Sequence, residues 1–269
     1  MVKTRTPLEG DFPLLVLRKR GPCNMASIIR MSKSITYFLE LLKKHFTART
    51  IERISTRTRQ QSRSSYWFLY RRCLITGTIA KRVINQNKRG EKNEKLNRCI
   101  SRFFPGSFTN EAMMYGVANE KRAMETFFNV FKTMHTDAKL HEIGLVLYKD
   151  APYIGGSPDG IVTCDCCSTS YLIEIKCPFR LAETGIKNWR ILEYFDDSQN
   201  LKPSHTYFNQ INLYQGILGL KTAFFVVFAN DEIITKRITF DKDFFDFQIK
   251  NLTEYYTKYY LPTVIGTKI

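Results

Sequence analysis

Long apolar runs, paired metal-ligand motifs and, over the first 105 residues, acidic side chains are what this chain lacks. No apolar stretch approaches the roughly 20 residues that a membrane-spanning helix needs. Residues 12–17 are too short for the core of a signal peptide, and Arg18-Lys19-Arg20 follows them instead of preceding them. A soluble, intracellular protein is expected. Seven cysteines, an odd number, form no obvious secreted disulfide framework. Cys164, Cys166 and Cys167 stand close enough to suggest a zinc cluster with Cys177 or a histidine. Yet paired Cys-x-x-Cys spacing is absent and the chain has only 4 histidines, so reduced thiols are expected instead. No internal repeat is visible.

The acidic deficit is local. Up to residue 105, 24 Lys and Arg face 6 Asp and Glu, a balance of +18, whereas the remainder carries 17 against 19 and the whole chain +16. A polycationic first part on a slightly acidic remainder suits a phosphate backbone, bound by counterion release with salt-dependent affinity. A solvated tail or a targeting signal is the alternative for the first thirty residues. The length of 269 residues suits one domain, or one domain with an extension, and is enough to bury a sizeable core.

What the chain does have is concentrated between Gly155 and Phe179. There Gly-Gly-Ser-Pro-Asp-Gly-Ile-Val is followed, after a short loop, by Tyr-Leu-Ile-Glu-Ile-Lys-Cys-Pro-Phe. Strand side chains alternate between faces, so Glu174 and Lys176 share one face while Ile173 and Ile175 point the other way. With Leu172 beside the charges, this reads as a strand buried on both sides. Charges there are costly unless paired or bound to metal. Asp159, at the end of the adjoining limb, is placed to meet Glu174. Two converging carboxylates suit Mg²⁺, which takes hard oxygen ligands. A lysine beside them can orient, or help deprotonate, a water for attack on phosphorus. Glu-x-Lys alone is a weak signal, usually a solvated charge pair; its apolar flanks and the upstream Ser-Pro-Asp-Gly carry the reading of a metal-dependent phosphodiesterase.

These two segments resemble the PD-(D/E)xK nuclease superfamily and, within it, the phage lambda exonuclease and YqaJ-type viral recombinase family. The resemblance implies an α/β, restriction-endonuclease-like core, a central mixed β-sheet flanked by helices. It implies Mg²⁺-dependent hydrolysis of DNA, with two ions and Mn²⁺ as a substitute. Asp159, Glu174 and Lys176 would be catalytic; Glu120, Asp159, Glu174 and the carbonyl of Ile175 would hold metal. Arg71-Arg72-Cys73-Leu74-Ile75-Thr76-Gly77-Thr78 matches the family's terminal 5′-phosphate pattern through Arg71 and Thr78, with Lys88 or Arg89 as a further basic contact. Ser157 and Gln210, the latter in a Tyr-x-x-Gln helix, would complete the DNA-binding set. The implied partner is double-stranded DNA, cut 5′ to 3′ from its ends, with a single-strand annealing or binding protein and a homo-oligomer as further implied partners. Viral or virus-derived recombination is the implied setting, in the host nucleus for a eukaryotic DNA virus. An endonuclease on DNA or RNA and a non-catalytic nucleic-acid binder are the alternatives; the intact Asp159, Glu174 and Lys176 set argues against the second. The Cys164-Asp165-Cys166-Cys167 run in a lengthened loop is not part of the family pattern.

Residues 1–65 read as a basic N-terminal extension, poorly ordered to about residue 32, with a short helix capped by Ser34. Residues 66–269 read as the nuclease domain. A helix over 110–131, capped by Thr109 or Asn110, places Val117, Met124, Phe127 and Phe131 inward with Glu120 on or beside that stripe. Gly116 and Ala123 would let it approach a neighbour closely. Tyr207, Gln210 and Tyr214 share one face of a second helix ending near Leu218. Strands are expected at 141–148, 153–162, 171–177, 223–229 and 233–240, and an aromatic helix over 244–260.

Overall fold

The β-branched and aromatic runs after residue 138 build the scaffold. A computed structural model describes residues 23–89, 103 and 110–266; residues 12–17 and Thr109 lie outside these. Five strands form a mixed sheet in the order β2 (Lys139–His141), β5 (Gly160–Cys164), β6 (Thr169–Lys176), β7 (Thr222–Ala229) and β8 (Glu232–Thr239). Within it β6 and β7 run parallel, and the other neighbours are antiparallel. A second sheet orders β1 (Ile75–Thr76), β4 (Ala151–Gly156) and β3 (Val146–Tyr148). The expected strand at 141–148 is thus two strands in different sheets. The one at 153–162 breaks at Ser157-Pro158-Asp159, where proline removes a ladder donor and the chain crosses from one sheet to the other.

Helices cover both faces of the larger sheet. On one face Ala123, Phe127 and Phe131 of a long helix pack with Val162, Ile173, Ile175 and Val226. On the other, Ile211 and Tyr214 pack with Leu172, Ala223, Phe225 and Val227. β6 is therefore buried from both sides, as its alternation implied.

In chain order the helices are α1 (Met25–Met31), α2 (Ile35–His45), α3 (Ala48–Arg57), α4 (Ser65–Arg71), α5 (Gly77–Arg89), α6 (Glu111–Met134), α7 (Thr206–Leu218), α8 (Lys242–Tyr255) and α9 (Leu261–Gly266). Asn110 caps α6, its side chain accepting from the Met113 N–H at 2.9 Å. Val117 is 66% exposed, and nothing approaches within 4 Å of where a Cβ on Gly116 would stand. The inward stripe of α6 starts only at Ala123, because the first turns border a cleft instead of the sheet.

The expected boundary at residue 65 is corrected. Asn24, Ser34 and Thr47 cap three successive helices. Their Met25, Ile28, Phe38, Leu42 and Ile54 are buried in the same core as Tyr153, Leu213 and Tyr256. Phe38 lies 6.4 Å from the Tyr153 ring and 6.1 Å from that of Tyr256, and those two tyrosines stack at 4.1 Å. Residues 25–57 are part of the fold, and their basic residues occupy the outward faces of amphipathic helices. No helix among the described residues is long and apolar enough to cross a membrane.

Truncating Phe38 to alanine should therefore cost about 3–5 kcal/mol, the range for a buried aromatic, read from the urea unfolding midpoint. An appendage outside the core would lose nothing measurable.

Candidate active site

The period of β6 turns Glu174 and Lys176 away from α6 and toward α7. Glu174 keeps only 1% of its surface exposed. Its Oε1 accepts from Lys176 Nζ and from Gln210 Nε2, each at 2.5 Å. Its Oε2 is buried and has no hydrogen-bond partner. Asp159 immediately precedes β5, which pairs Gly160 with Ile173. That register brings Asp159 Oδ2 to the Ile175 N–H, which donates to it at 2.5 Å. Lys176 also donates to the Ile175 carbonyl at 2.9 Å and sits 5.0 Å from the centre of the Tyr207 ring. Glu120, an exposed residue of α6, lines the same cleft as Asp159. Asp159, Glu174, Lys176, Glu120 and Gln210 thus come together.

The electrostatics are those of a site short of positive charge. Burial pushes the Glu174 carboxyl up to about 8, opposed by Lys176 and reinforced by Asp159 and Glu120. Partial burial and then Asp159 push Glu120 up to about 7. Burial raises Asp159 as well, against the pull of Lys176 and the Ile175 N–H. Burial disfavours the charged form of Lys176, yet Glu174 and Asp159 outweigh it and hold the amine protonated. One ammonium cannot neutralise three carboxylates. Together with the unpartnered Oε2, this donor set fits a hard divalent cation, with Glu120, Asp159 and Glu174 to hold it. The Ile175 carbonyl already accepts from Lys176, and its second lone pair is the one left for a ligand role.

Gln210 is fixed from behind by buried amides. Asn212 Nδ2 donates to the Asp241 carbonyl at 3.0 Å and to Gln248 Oε1 at 3.2 Å. Gln248 Nε2 donates to the Asn209 carbonyl at 2.8 Å. Tyr214, one turn after Gln210, fills space made by two glycines: a Cβ on Gly156 would stand 2.3 Å from its ring and one on Gly77 2.7 Å.

The Ser157–Asp159 loop is held from the N-terminal side. Gln61 Nε2 donates to the Pro158 carbonyl at 2.8 Å and to that of Ile143 at 3.1 Å. Trp67 Nε1 donates to Ser157 Oγ at 2.7 Å, and the Arg71 guanidinium lies 3.9 Å from the centre of the Trp67 ring. Arg71 Nε is buried without a hydrogen-bond partner, and burial lowers the pKa of the guanidinium. Thr78, exposed at the start of α5, lies with its hydroxyl 2.8 Å from that of Thr76. Arg89 is not part of this cluster: it stands eleven residues further along α5, about 17 Å at 1.5 Å per residue, beside a Lys88 that covers the Phe247 ring. Gln61 and Trp67 were not read from the sequence. Trp67 had a signal, standing four residues before Arg71 on one helical face; Gln61 had none.

The carboxylates open into a cleft of about 470 Å³ lined by Glu120 and Asp159, with Arg59, Arg63 and Lys121 along its walls. Part of the early positive charge therefore borders the site itself.

A family model described as the YqaJ-like viral recombinase domain matches residues 66–221. No curated relative matches the chain by sequence. Among solved structures, the chain is similar to an alkaline exonuclease (LHK-Exo) from Laribacter hongkongensis. The two are 21% identical, with a TM-score of 0.57 over 76% of this chain and 96% of that one. It is also similar to the Shutoff and Exonuclease Protein from Kaposi's sarcoma-associated herpesvirus, at 10% identity and a TM-score of 0.56 over 81% of this chain and 73% of that one. A SOX–DNA complex gives a TM-score of 0.57 at 10% identity, over 81% and 72% of the two chains. These likenesses establish a nuclease fold.

Two glycine substitutions should have opposite signs. Gly156→Ala drives a methyl into Tyr214 and should destabilise by about 1–3 kcal/mol. Gly116→Ala meets open space within a helix and should stabilise by about 0.5–1 kcal/mol. Urea unfolding of both variants checks this, and equal effects would contradict the packing around Tyr214.

Proposed function

Because the chain belongs to the YqaJ-like viral recombinase family, we propose that it is a divalent-cation-dependent deoxyribonuclease that degrades duplex DNA from its ends, 5′ to 3′, in viral recombination or DNA processing. The observation that carries this reading is the convergence of Glu120, Asp159 and Glu174 on one ammonium, with a buried carboxylate oxygen left unpaired. Mg²⁺ is the natural occupant, with Mn²⁺ as a substitute; three carboxylates and one ammonium balance one such ion, and a second would draw its remaining countercharge from the substrate phosphate. When bound, such ions polarise the phosphoryl oxygens and acidify an attacking water.

The side chains of this chain do the rest. Glu174 and Asp159 are held rigid by Gln210 and by the Ile175 N–H, so binding a cation requires little reorganisation. Lys176, anchored on Glu174 and the Ile175 carbonyl, presents a remaining proton to orient the water beside the scissile phosphate. Arg71 lies flat on Trp67 with an unsatisfied Nε and no ion pair among the described residues, a guanidinium ready for a terminal phosphate. Trp67 joins it to Ser157, two residues before Asp159, so an end held by Arg71 is coupled to the chemistry. Arg59 and Arg63 supply backbone contacts along the cleft, whose strength should fall with salt.

One assay tests the proposal: purified protein with Mg²⁺ on end-labelled linear duplex bearing a 5′-phosphate or a 5′-hydroxyl, and on a covalently closed circle. Losing a charge-assisted bond costs about 1.5–3 kcal/mol, so the phosphorylated end should be degraded roughly ten- to hundredfold faster. Arg71→Ala should erase the preference by slowing that substrate alone. Glu174→Ala and Lys176→Ala should abolish cleavage of every substrate while DNA binding persists. Efficient cutting of the circle would replace the exonuclease reading with an endonuclease, and full activity of Glu174→Ala would sink both.

A further inference from the structure

At the opposite end of the β5–β6 hairpin from Asp159, four metal-ligating side chains meet. His135 follows the last residue of α6, Cys164 ends β5, and Cys166 and Cys167 lie in the turn before β6. One ligand atom from each, His Nδ1 and three Sγ, all lie within 4.8 Å of one another. The three sulfurs stand 3.3, 3.4 and 3.3 Å from the same Nδ1, and Cys166 and Cys167 are 3.8 Å apart. We propose that His135, Cys164, Cys166 and Cys167 bind one zinc ion as a structural site, separate from the carboxylate cluster.

Hydrogen bonding does not account for the arrangement. An imidazole nitrogen carries one proton or one lone pair, so Nδ1 can satisfy only one of three thiols. A single central ion satisfies all of them. With Zn–S of about 2.3 Å and Zn–N of about 2.0–2.1 Å, a tetrahedral site has S···N edges of about 3.5–3.6 Å and S···S edges of about 3.8 Å. Those four separations lie within a few tenths of an ångström of these, and the two other sulfur pairs lie within 4.8 Å. Such edges enclose one ion and are too short for a multi-iron cluster. Three soft sulfurs and an imidazole select zinc over the Mg²⁺ suited to the carboxylates.

The surroundings support the ligands. The His135 ring stacks on Phe131 at 3.9 Å, fixing its plane. The Tyr171 ring stands 6.4 Å from that of His135. The Asp165 N–H donates to the Thr136 carbonyl at 3.0 Å, pinning the turn to the end of α6. The reduced thiols expected from the sequence are thus grouped as ligands, and the missing histidine came from 29 residues away. Cys177 is not among them.

The site has a mechanical consequence. α6 carries Glu120 in its first half and His135 just past its C-terminal end, about 22 Å away along the helix axis. β5 carries Asp159 and Cys164 at its two ends in the same way. A zinc ion would lock α6 to the hairpin at the far end and so fix the position of Glu120 against Asp159.

The full chain, purified under reducing conditions and dialysed into metal-free buffer, should retain one zinc ion per molecule by mass spectrometric elemental analysis. Asp159→Ala/Glu174→Ala should retain it, and Cys164→Ser/Cys167→Ser should lose it. Replacing zinc with Co²⁺ in the wild type should produce thiolate-to-cobalt charge-transfer absorption, which carboxylates cannot give. That spectrum decides even where the serine variant fails to fold. A reduced wild-type protein with no zinc and no such absorption would overturn the proposal. So would zinc that survives the serine variant and leaves with the two carboxylates.

Discussion

A carboxylate in the middle of a five-stranded sheet sets the terms for the structure around it. Removing an ion from water costs several kcal/mol even after relaxation, and Glu174 is almost wholly enclosed. Lys176 and Gln210 offset part of that cost through one oxygen and leave the other unsatisfied. Without the amine, the strand would carry an unpaired buried charge. Without the glutamine, the amine alone would have to hold the carboxylate in place. That unsatisfied oxygen is what a bound divalent cation would partner.

Holding Gln210 to that task recruits elements far from β6. Helix α7 is locked to α8 by the Asn212, Gln248 and Asn209 amides, and Tyr214 is admitted by Gly77 and Gly156. Gly77 belongs to the segment that carries Arg71 and Thr78, so that turn and the helix that carries Gln210 share one packing contact. Gln61 and Trp67 extend the support to the residues before the catalytic core. The three N-terminal helices are thereby coupled to the loop that presents Asp159, and Arg59 and Arg63 reach the cleft because those helices are folded.

The meeting of Glu174 and Lys176 was legible in the sequence because strand period alone fixes which side chains share a face. Glu174 with Lys176, and Ile173 with Ile175, needed no tertiary information. Gln210 was placed by its resemblance to the family's Tyr-x-x-Gln helix, and Asn110 was one of two cap candidates ahead of a helical apolar period. The helix capped by Ser34, with Phe38, Leu41 and Leu42 on its apolar side, was readable too; that it docks into the common core was not, because its partners Tyr153 and Tyr256 lie far away in sequence. Val117 fits the helical period of α6 as well as Phe127 does; only the position of the sheet edge decides that one is exposed and the other buried. The break at Ser157-Pro158-Asp159 was missed, although proline chemistry accounts for it, and which sheet each half joins depends on partners distant in sequence. His135 lies too far from Cys164 for spacing to join them.

The central claim is that Glu120, Asp159 and Glu174 form a divalent-cation site whose shape the fold provides in advance. Titration of the metal-free protein with Mn²⁺, followed by electron paramagnetic resonance of the free ion, tests it without recourse to activity. Saturable binding should appear in the wild type and vanish in Glu174→Gln, which keeps the shape of the side chain and removes its charge. Equal Mn²⁺ binding by the folded Glu174→Gln protein would contradict the account.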